Sequence, residues 1–306
     1  MKSPTLAQWR EGAFLGLLLI GLYTLEHQWP LMGLWLFVGF SLTLGMGHGA
    51  LDMVLLLGQF KPQSNAIFFG TLYLALTLLA GWLLSLSFAW ALIALLVMSV
   101  WHFGEAYAQR VMLRLAVGGT SLMAPVLIQK DALTQLMQNV AHTDVSWLLS
   151  VWSGLAWAWA GLVFWVLLSS ASGGHRHVAL NYGAVRSKNS GLLEIGTVFC
   201  LSILFSPLLQ FALYFGLFHC TTHIARVRRA AILHQGLPIA LITWAWVGAM
   251  LLTAVLLVAL WNWLPGAGMW ASQIDAQVLH WLVVALGAVT VPHLILVSYS
   301  RVWLGR

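Results

Sequence analysis

Five of the eleven histidines in this 306-residue chain, His48, His102, His219, His223 and His293, lie inside strongly apolar segments. An imidazole is costly there unless its nitrogens are engaged, so these positions point to a task. His219 and His223 form an H-x-x-x-H pair, and residues four apart share a helix face, so both rings can meet one metal ion. Taken alone, the spacing more often marks a hydrogen-bonded or exposed pair than a ligand pair. His48 stands in Gly45-Met46-Gly47-His48-Gly49-Ala50-Leu51-Asp52, with Asp52 one turn further along the same face. His102 stands in Trp101-His102-Phe103-Gly104-Glu105, with Glu105 at i+3. A divalent ion held by neutral imidazoles brings uncompensated positive charge into a low-dielectric site, and carboxylates behind the ligands orient the rings and soften that cost. Asp52 and Glu105 are expected in that supporting role. The plainer alternative for each pair is a hydrogen bond between helices; its coincidence with the H-x-x-x-H pair favours the metal. His293 follows Pro292, and three roles stay open for it: fifth ligand, supporting donor, or partner of a proline bend. Neutral nitrogen donors suit iron, copper, zinc or nickel, and spacing does not choose among them.

The elements that must carry these residues are membrane helices. Hydrophobic residues make up 61% of the chain and charged residues 7%, which excludes a disordered or soluble class. The expected architecture is an all-α, polytopic transmembrane bundle, a single integral membrane domain over residues 1–306 with about ten spans. These run roughly over Ala13–Leu25, Leu31–Leu57, Ala66–Leu86, Ala89–Ala108, Leu113–Ile128, Val145–Leu168, Gly191–Phe205, Leu208–Ala225, Ile239–Trp263 and Val278–Val297. Pro62, Pro125, Pro207, Pro238 and Pro265 punctuate them, and Lys130–Thr143 reads as a short surface helix or loop. The apolar run after Lys2 and Arg10 lacks a small-residue cleavage pattern and reads as a retained first helix. Cys200 and Cys220 fall in apolar segments and need no disulfide.

Alternating ten spans places Lys2, Arg10, Lys61, Arg110, Arg114, Arg176, Arg186, Lys188, Arg226, Arg228, Arg229, Arg301 and Arg306 on one side and Lys130 alone on the other. By the positive-inside tendency, both termini are then cytoplasmic, and the expected location is the cell's inner or plasma membrane. The net charge of +6 is this cytoplasmic bias, and no nucleic-acid partner is needed to explain it. The same ruler sets depth, because helices advance about 1.5 Å per residue. His102, His219 and His293 each precede a cytoplasmic arginine by about seven or eight residues, His48 lies further from Lys61, and His223 is one turn nearer the inner surface. The five share the cytoplasmic half of the membrane. His27, His142 and His280 fall at the outer face, and His175, His177 and His234 in cytoplasmic loops, too far to join them. Most of the eighteen tryptophans read as interfacial belt or core. Phe103, Tyr214, Phe215 and Phe218, beside the histidines, are candidates to line a substrate tunnel.

Four motifs, Gly47-His48-Gly49-Ala50-Leu51-Asp52, Trp101-His102-Phe103-Gly104-Glu105, Tyr214-Phe215-Gly216-Leu217-Phe218-His219 with His223, and Pro292-His293, resemble in order those of the Brp/Blh family, membrane enzymes that cleave β-carotene to retinal. The resemblance spans nearly the whole chain from the second span to the tenth. It implies a non-haem Fe(2+) centre ligated by His48, His102, His219 and His223, with β-carotene and O2 as substrates in the lipid phase. It also implies all-trans-retinal as product, often for a microbial rhodopsin. The loop Ser172–Ser190 matches no feature of that family. Such chemistry needs a long apolar tunnel that holds the central double bond near the metal and keeps bulk water out, rather than an acidic or nucleophilic side chain. The competing readings are a histidine-box desaturase or hydroxylase, which wants more histidines at the cytoplasmic face, and a haem- or metal-binding protein without catalysis. A transporter would string titratable groups along a whole path, whereas the intramembrane acids are confined to Asp52, Glu105 and Glu194.

Overall fold

Apolar runs of this length leave the backbone no partner in lipid but itself, so they fold as helices. The structure, a computed structural model, describes residues 6–29, 31–59, 63–86, 88–107, 110–141, 145–171, 188–235, 240, 243–249, 251, 255 and 271–304. In chain order, α1 spans Leu6–Gln28; α2, Met32–Phe40, passes through a π-helical turn at Ser41–Gly45 into α3, Met46–Gln59. Then come α4, Gln63–Leu86; α5, Phe88–Phe103, which tightens into a 3-10 turn at Gly104–Tyr107; and α6, Val111–Ile128. Helix α7 is Lys130–Ala141, α8 is Ser146–Ala171 and α9 is Lys188–Leu204. Helix α10, Pro207–Leu213, enters a second π-helical segment at Tyr214–Cys220 and continues as α11, Thr221–Gln235; α12 is Ala271–Leu304. Among the described residues there is no strand.

Among the described residues, five stretches are long and apolar enough to cross a membrane: Met32–Asp52, Ile67–Leu86, Val111–Ile128, Ser146–Ser170 and Leu279–Val297. Every expected span falls on helix except Ile239–Trp263, most of which lies outside the described residues, as do His142, His175, His177 and residues 172–187. The side chain of His234 lies outside them too. The outward faces are apolar, with Ile67, Trp157 and Leu193 each at least 70% exposed, a surface stable only in lipid.

Burial sorts the helices. Most residues of helix α6 are buried and few of α4 are, so α6 is the central post and α4 a peripheral one. Helix α6 packs on α5, α8 and α9, while α4 packs on α12, α2 on α10, and α3 on α11. The α5–α6 contact is a backbone approach. A Cβ on Gly118 would overlap the Val100 carbonyl, and one on Gly104 would overlap the carbonyl of Arg114. Only glycine permits this spacing, and it brings the end of α5, with His102 and Glu105, against the central post. Proline 125 lies inside α6 and Pro292 inside α12, and both helices run on past them.

Candidate metal centre

The five apolar-segment histidines meet at one place. Helix α3 supplies His48, α5 His102, the second π-helical segment His219, α11 His223 and α12 His293, and all five are buried. His293 is the hub: its Nε2 lies 3.1 Å from Nε2 of His48 and 3.2 Å from Nε2 of His102. The donor nitrogens of His48, His102, His223 and His293 all lie within 4.8 Å of one another and could hold a metal ion. His219 stands one step outside that set, its ring centroid 4.7 Å from that of His102 and 5.5 Å from that of His48.

Two carboxylates stand behind these rings. Nδ1 of His293 faces both oxygens of Asp52, at 2.9 and 2.8 Å, and it must be the donor because an ionised carboxylate only accepts. That tautomer leaves the Nε2 lone pair aimed into the cluster. Asp52 is itself held by the Tyr73 hydroxyl, which donates to Oδ2 at 2.8 Å. Glu105 serves the other side: its Oε2 lies 3.2 Å from Nδ1 of His102 and 3.9 Å from Nδ1 of His223, with the Arg226 guanidinium 4.0 Å from Oε1. The 3-10 turn explains the first contact, since side chains at i and i+3 eclipse in that geometry and Glu105 lies over His102. Asp52, by contrast, serves a histidine on another helix rather than His48 on its own. His48 Nδ1 meets the Cys220 thiol at 3.4 Å.

The donor set fits a transition ion. Two nitrogens bound at about 2.1 Å to one ion, at near-tetrahedral or octahedral angles, lie roughly 3.0–3.4 Å apart, which the His293 contacts match. Nε2 of His219 and Nε2 of His223 are buried with no hydrogen-bond partner. Orphaned polar atoms of that kind cost about 1–3 kcal/mol each without a ligand. The composition is all imidazole nitrogen, with carboxylates as outer partners, which suits a borderline metal rather than calcium or magnesium.

An apolar cavity opens from this layer. His48, His102, His219 and His293 form its floor, with Phe103, Phe211 and Phe215 above them. Along α12 its lining runs from His293 to Leu279, about 21 Å of helix at 1.5 Å per residue. Leu133, Leu136, Met137 and Val140 of the amphipathic α7 line its far end, and α7 is pinned to α12 where His280 Nδ1 donates to the Val140 carbonyl at 2.5 Å.

A multi-pass helical membrane protein with a buried polyhistidine centre under an apolar cavity is the class that fold and site define. Within that class, the chain belongs to the beta-carotene 15,15'-dioxygenase family, whose profile matches residues 29–300. It is also 24% identical over 283 residues to a beta-carotene 15,15'-dioxygenase from uncultured marine bacterium 66A03, covering 87% of this chain and 93% of that protein. No solved structure matches it. Family membership supports an oxygenase.

Of the residues singled out from the sequence, His48, His102, His219, His223, His293, Asp52 and Glu105 are brought together. Phe103 and Phe215 line the cavity. Tyr214 stands against Phe103 at 5.5 Å between centroids and Phe218 stacks on Tyr214 at 6.4 Å, behind the wall. His27 bonds the Tyr23 carbonyl in α1 and His280 serves α7, so neither joins the centre. Sequence reasoning missed Tyr73, a lone tyrosine in an apolar helix with no spacing to mark it. It also missed Phe211, which the i−4 relation to Phe215 could have found, and the approach of Arg226 to Glu105.

Proposed function

We propose that this chain cleaves the central double bond of β-carotene with O2, giving two molecules of all-trans-retinal, at an Fe(2+) held by His48, His102, His219 and His223, with His293 as a further nitrogen donor. The observation that carries this reading is the junction of five buried imidazoles with the floor of an apolar cavity. Ferrous iron would supply the one-electron chemistry that lets dioxygen react with a closed-shell polyene.

The protein's own residues do the rest. Asp52 fixes the tautomer of His293, Tyr73 fixes Asp52, and Glu105 brings a second carboxylate beside His102 and His223. Together the two carboxylates offset the charge of a divalent ion, and Arg226 steadies Glu105 from the Arg-rich side. The walls of Leu92, Leu96, Phe103 and Phe215 exclude water and admit a hydrocarbon. Depth decides which bond reacts, because a polyene stopped by α7 presents a fixed carbon to the histidine floor.

The enzyme takes its substrates from the surrounding lipid, spans the inner membrane about ten times as a single domain with both termini cytoplasmic, and supplies retinal to a protein such as a microbial rhodopsin. The test is expression in carotene-accumulating cells: the reading expects bleaching, retinal by chromatography, and iron by elemental analysis of the purified protein. Unbleached cells with the protein present in the membrane would sink it.

A further inference from the structure

A cavity that took only a hydrocarbon would have no use for polar groups in its wall, yet two sit there without partners. The Ser121 hydroxyl and the Trp152 indole N–H are buried, their residues 2% and 4% exposed, and neither has a hydrogen-bond partner. Both residues line the cavity above the histidines.

Their neighbours show how unusual this is. Thr120 folds its hydroxyl back onto the Ala116 carbonyl at 2.8 Å, the ordinary refuge of a hydroxyl in a membrane helix. Trp159 donates its indole N–H to that same carbonyl at 2.9 Å. Trp152 lies seven residues, about two turns, before Trp159 on the same face of α8, and it finds no such acceptor. The two groups border the same cavity from two helices that pack on each other, Ser121 from α6 and Trp152 from α8. Pro125 has no N–H to give the Ser121 carbonyl, which removes one helical bond at that level.

The geometry points to a binding subsite for a carbonyl oxygen on an apolar polyene: the aldehyde of the cleaved product, held by the Trp152 N–H and the Ser121 hydroxyl. This rests on the cleavage reading above. β-Carotene carries no oxygen, and scission creates an aldehyde on each half, so the subsite distinguishes product from substrate. Its place suits a route of departure. Trp152 and Leu96 line both the cavity and a second apolar groove, which opens on the membrane side between exposed Val97, Val151, Leu155 and Ile295. Along α5, Leu96 is six residues from His102, about 9 Å at 1.5 Å per residue. An aldehyde drawn outward by that distance leaves the metal and faces the lipid-side groove.

The test is equilibrium binding to the full-length protein in nanodiscs with no metal added, using all-trans-retinal, β-carotene and a ring-hydroxylated carotene as probes. Wild type is compared with Ser121→Ala, Trp152→Phe and the double variant, and thermal unfolding reports on folding. The inference expects retinal binding to weaken about tenfold in the double variant, the size of one or two lost hydrogen bonds, with β-carotene binding unchanged. Unchanged retinal affinity, or equal weakening toward β-carotene, would overturn it. A Ser121- and Trp152-dependent grip on the hydroxylated carotene without one on retinal would also overturn it, by assigning the subsite to a substrate ring. Should the double variant fail to fold, Ser121→Ala alone carries the test, with a shift of a few-fold expected and none overturning the inference. The cleavage reading fails separately, through cells that never bleach whatever the binding data say.

Discussion

Asp52 and His293 lie 241 positions apart on different helices, and both carboxylate oxygens of the one face Nδ1 of the other within 2.9 Å. The pair ties α3 to α12 and turns the hub imidazole so that its Nε2 looks at those of His48 and His102. Asp52→Asn keeps the shape and removes the charge. It is expected to lower iron content or turnover roughly 10- to 100-fold, the usual reach of a residue that orients a ligand. Metal analysis and single-turnover rates check this, and full iron with full turnover would refute the role.

Tyr73→Phe removes only the hydroxyl that holds Asp52. The expected effect is smaller than that of Asp52→Asn and in the same direction, and combining the two should add little, because both act through one chain of contacts. Additive losses in the double variant would show that Tyr73 acts elsewhere.

His219→Ala and His223→Ala are each expected to abolish bound iron and retinal formation while leaving a helical, membrane-inserted protein. Far-UV circular dichroism and metal analysis on the same sample separate the two outcomes. His293→Ala should also lose iron, since it removes the nitrogen nearest both His48 and His102; retention of full iron would confine His293 to orientation.

Stripping the metal should lower thermal stability. A ligand present at a thousandfold its dissociation constant stabilises the folded state by about 4 kcal/mol, and five buried imidazoles would lose their common partner. Calorimetry or detergent-based melting with and without chelator reads the shift, and an unchanged melting temperature would argue that the cluster holds nothing.

Leu122→Trp fills the cavity wall away from the histidines. Iron content should stay at the wild-type level while kcat/KM for β-carotene falls at least tenfold, because the polyene is displaced from its seat. Loss of iron along with activity would mean that the substitution had disturbed the bundle instead.

The helical bundle and the convergence of the five histidines were legible from sequence for one reason: lipid makes polar groups so costly that the few present in apolar runs stand out. The partners of the acids were not legible. His102 and Glu105 lie on one turn, and local spacing found them. Asp52 was placed with His48, its neighbour on the helix, because nothing in an apolar run reveals how far α12 is rotated toward α3. The cavity wall was half legible. Phe103 and Phe215 were marked by adjacency to histidines, but Leu92, Phe211 and Trp152 look in sequence like every other packing residue. The expected spans also gave no sign of the π-helical turns, since an extra residue per turn leaves hydropathy unchanged.

Those two turns, at Ser41–Gly45 and Tyr214–Cys220, sit immediately upstream of His48 and around His219 and pack against each other. Each sets the angular phase of everything after it on its rod. Removing one residue from either would rotate the downstream part by about 100°, sweeping His48 and Asp52, or His223 and Arg226, away from the common focus with no chemical group altered. Within these stretches the chain should therefore accept exchanges of one apolar residue for another far more readily than any insertion or deletion, a constraint on length rather than on identity.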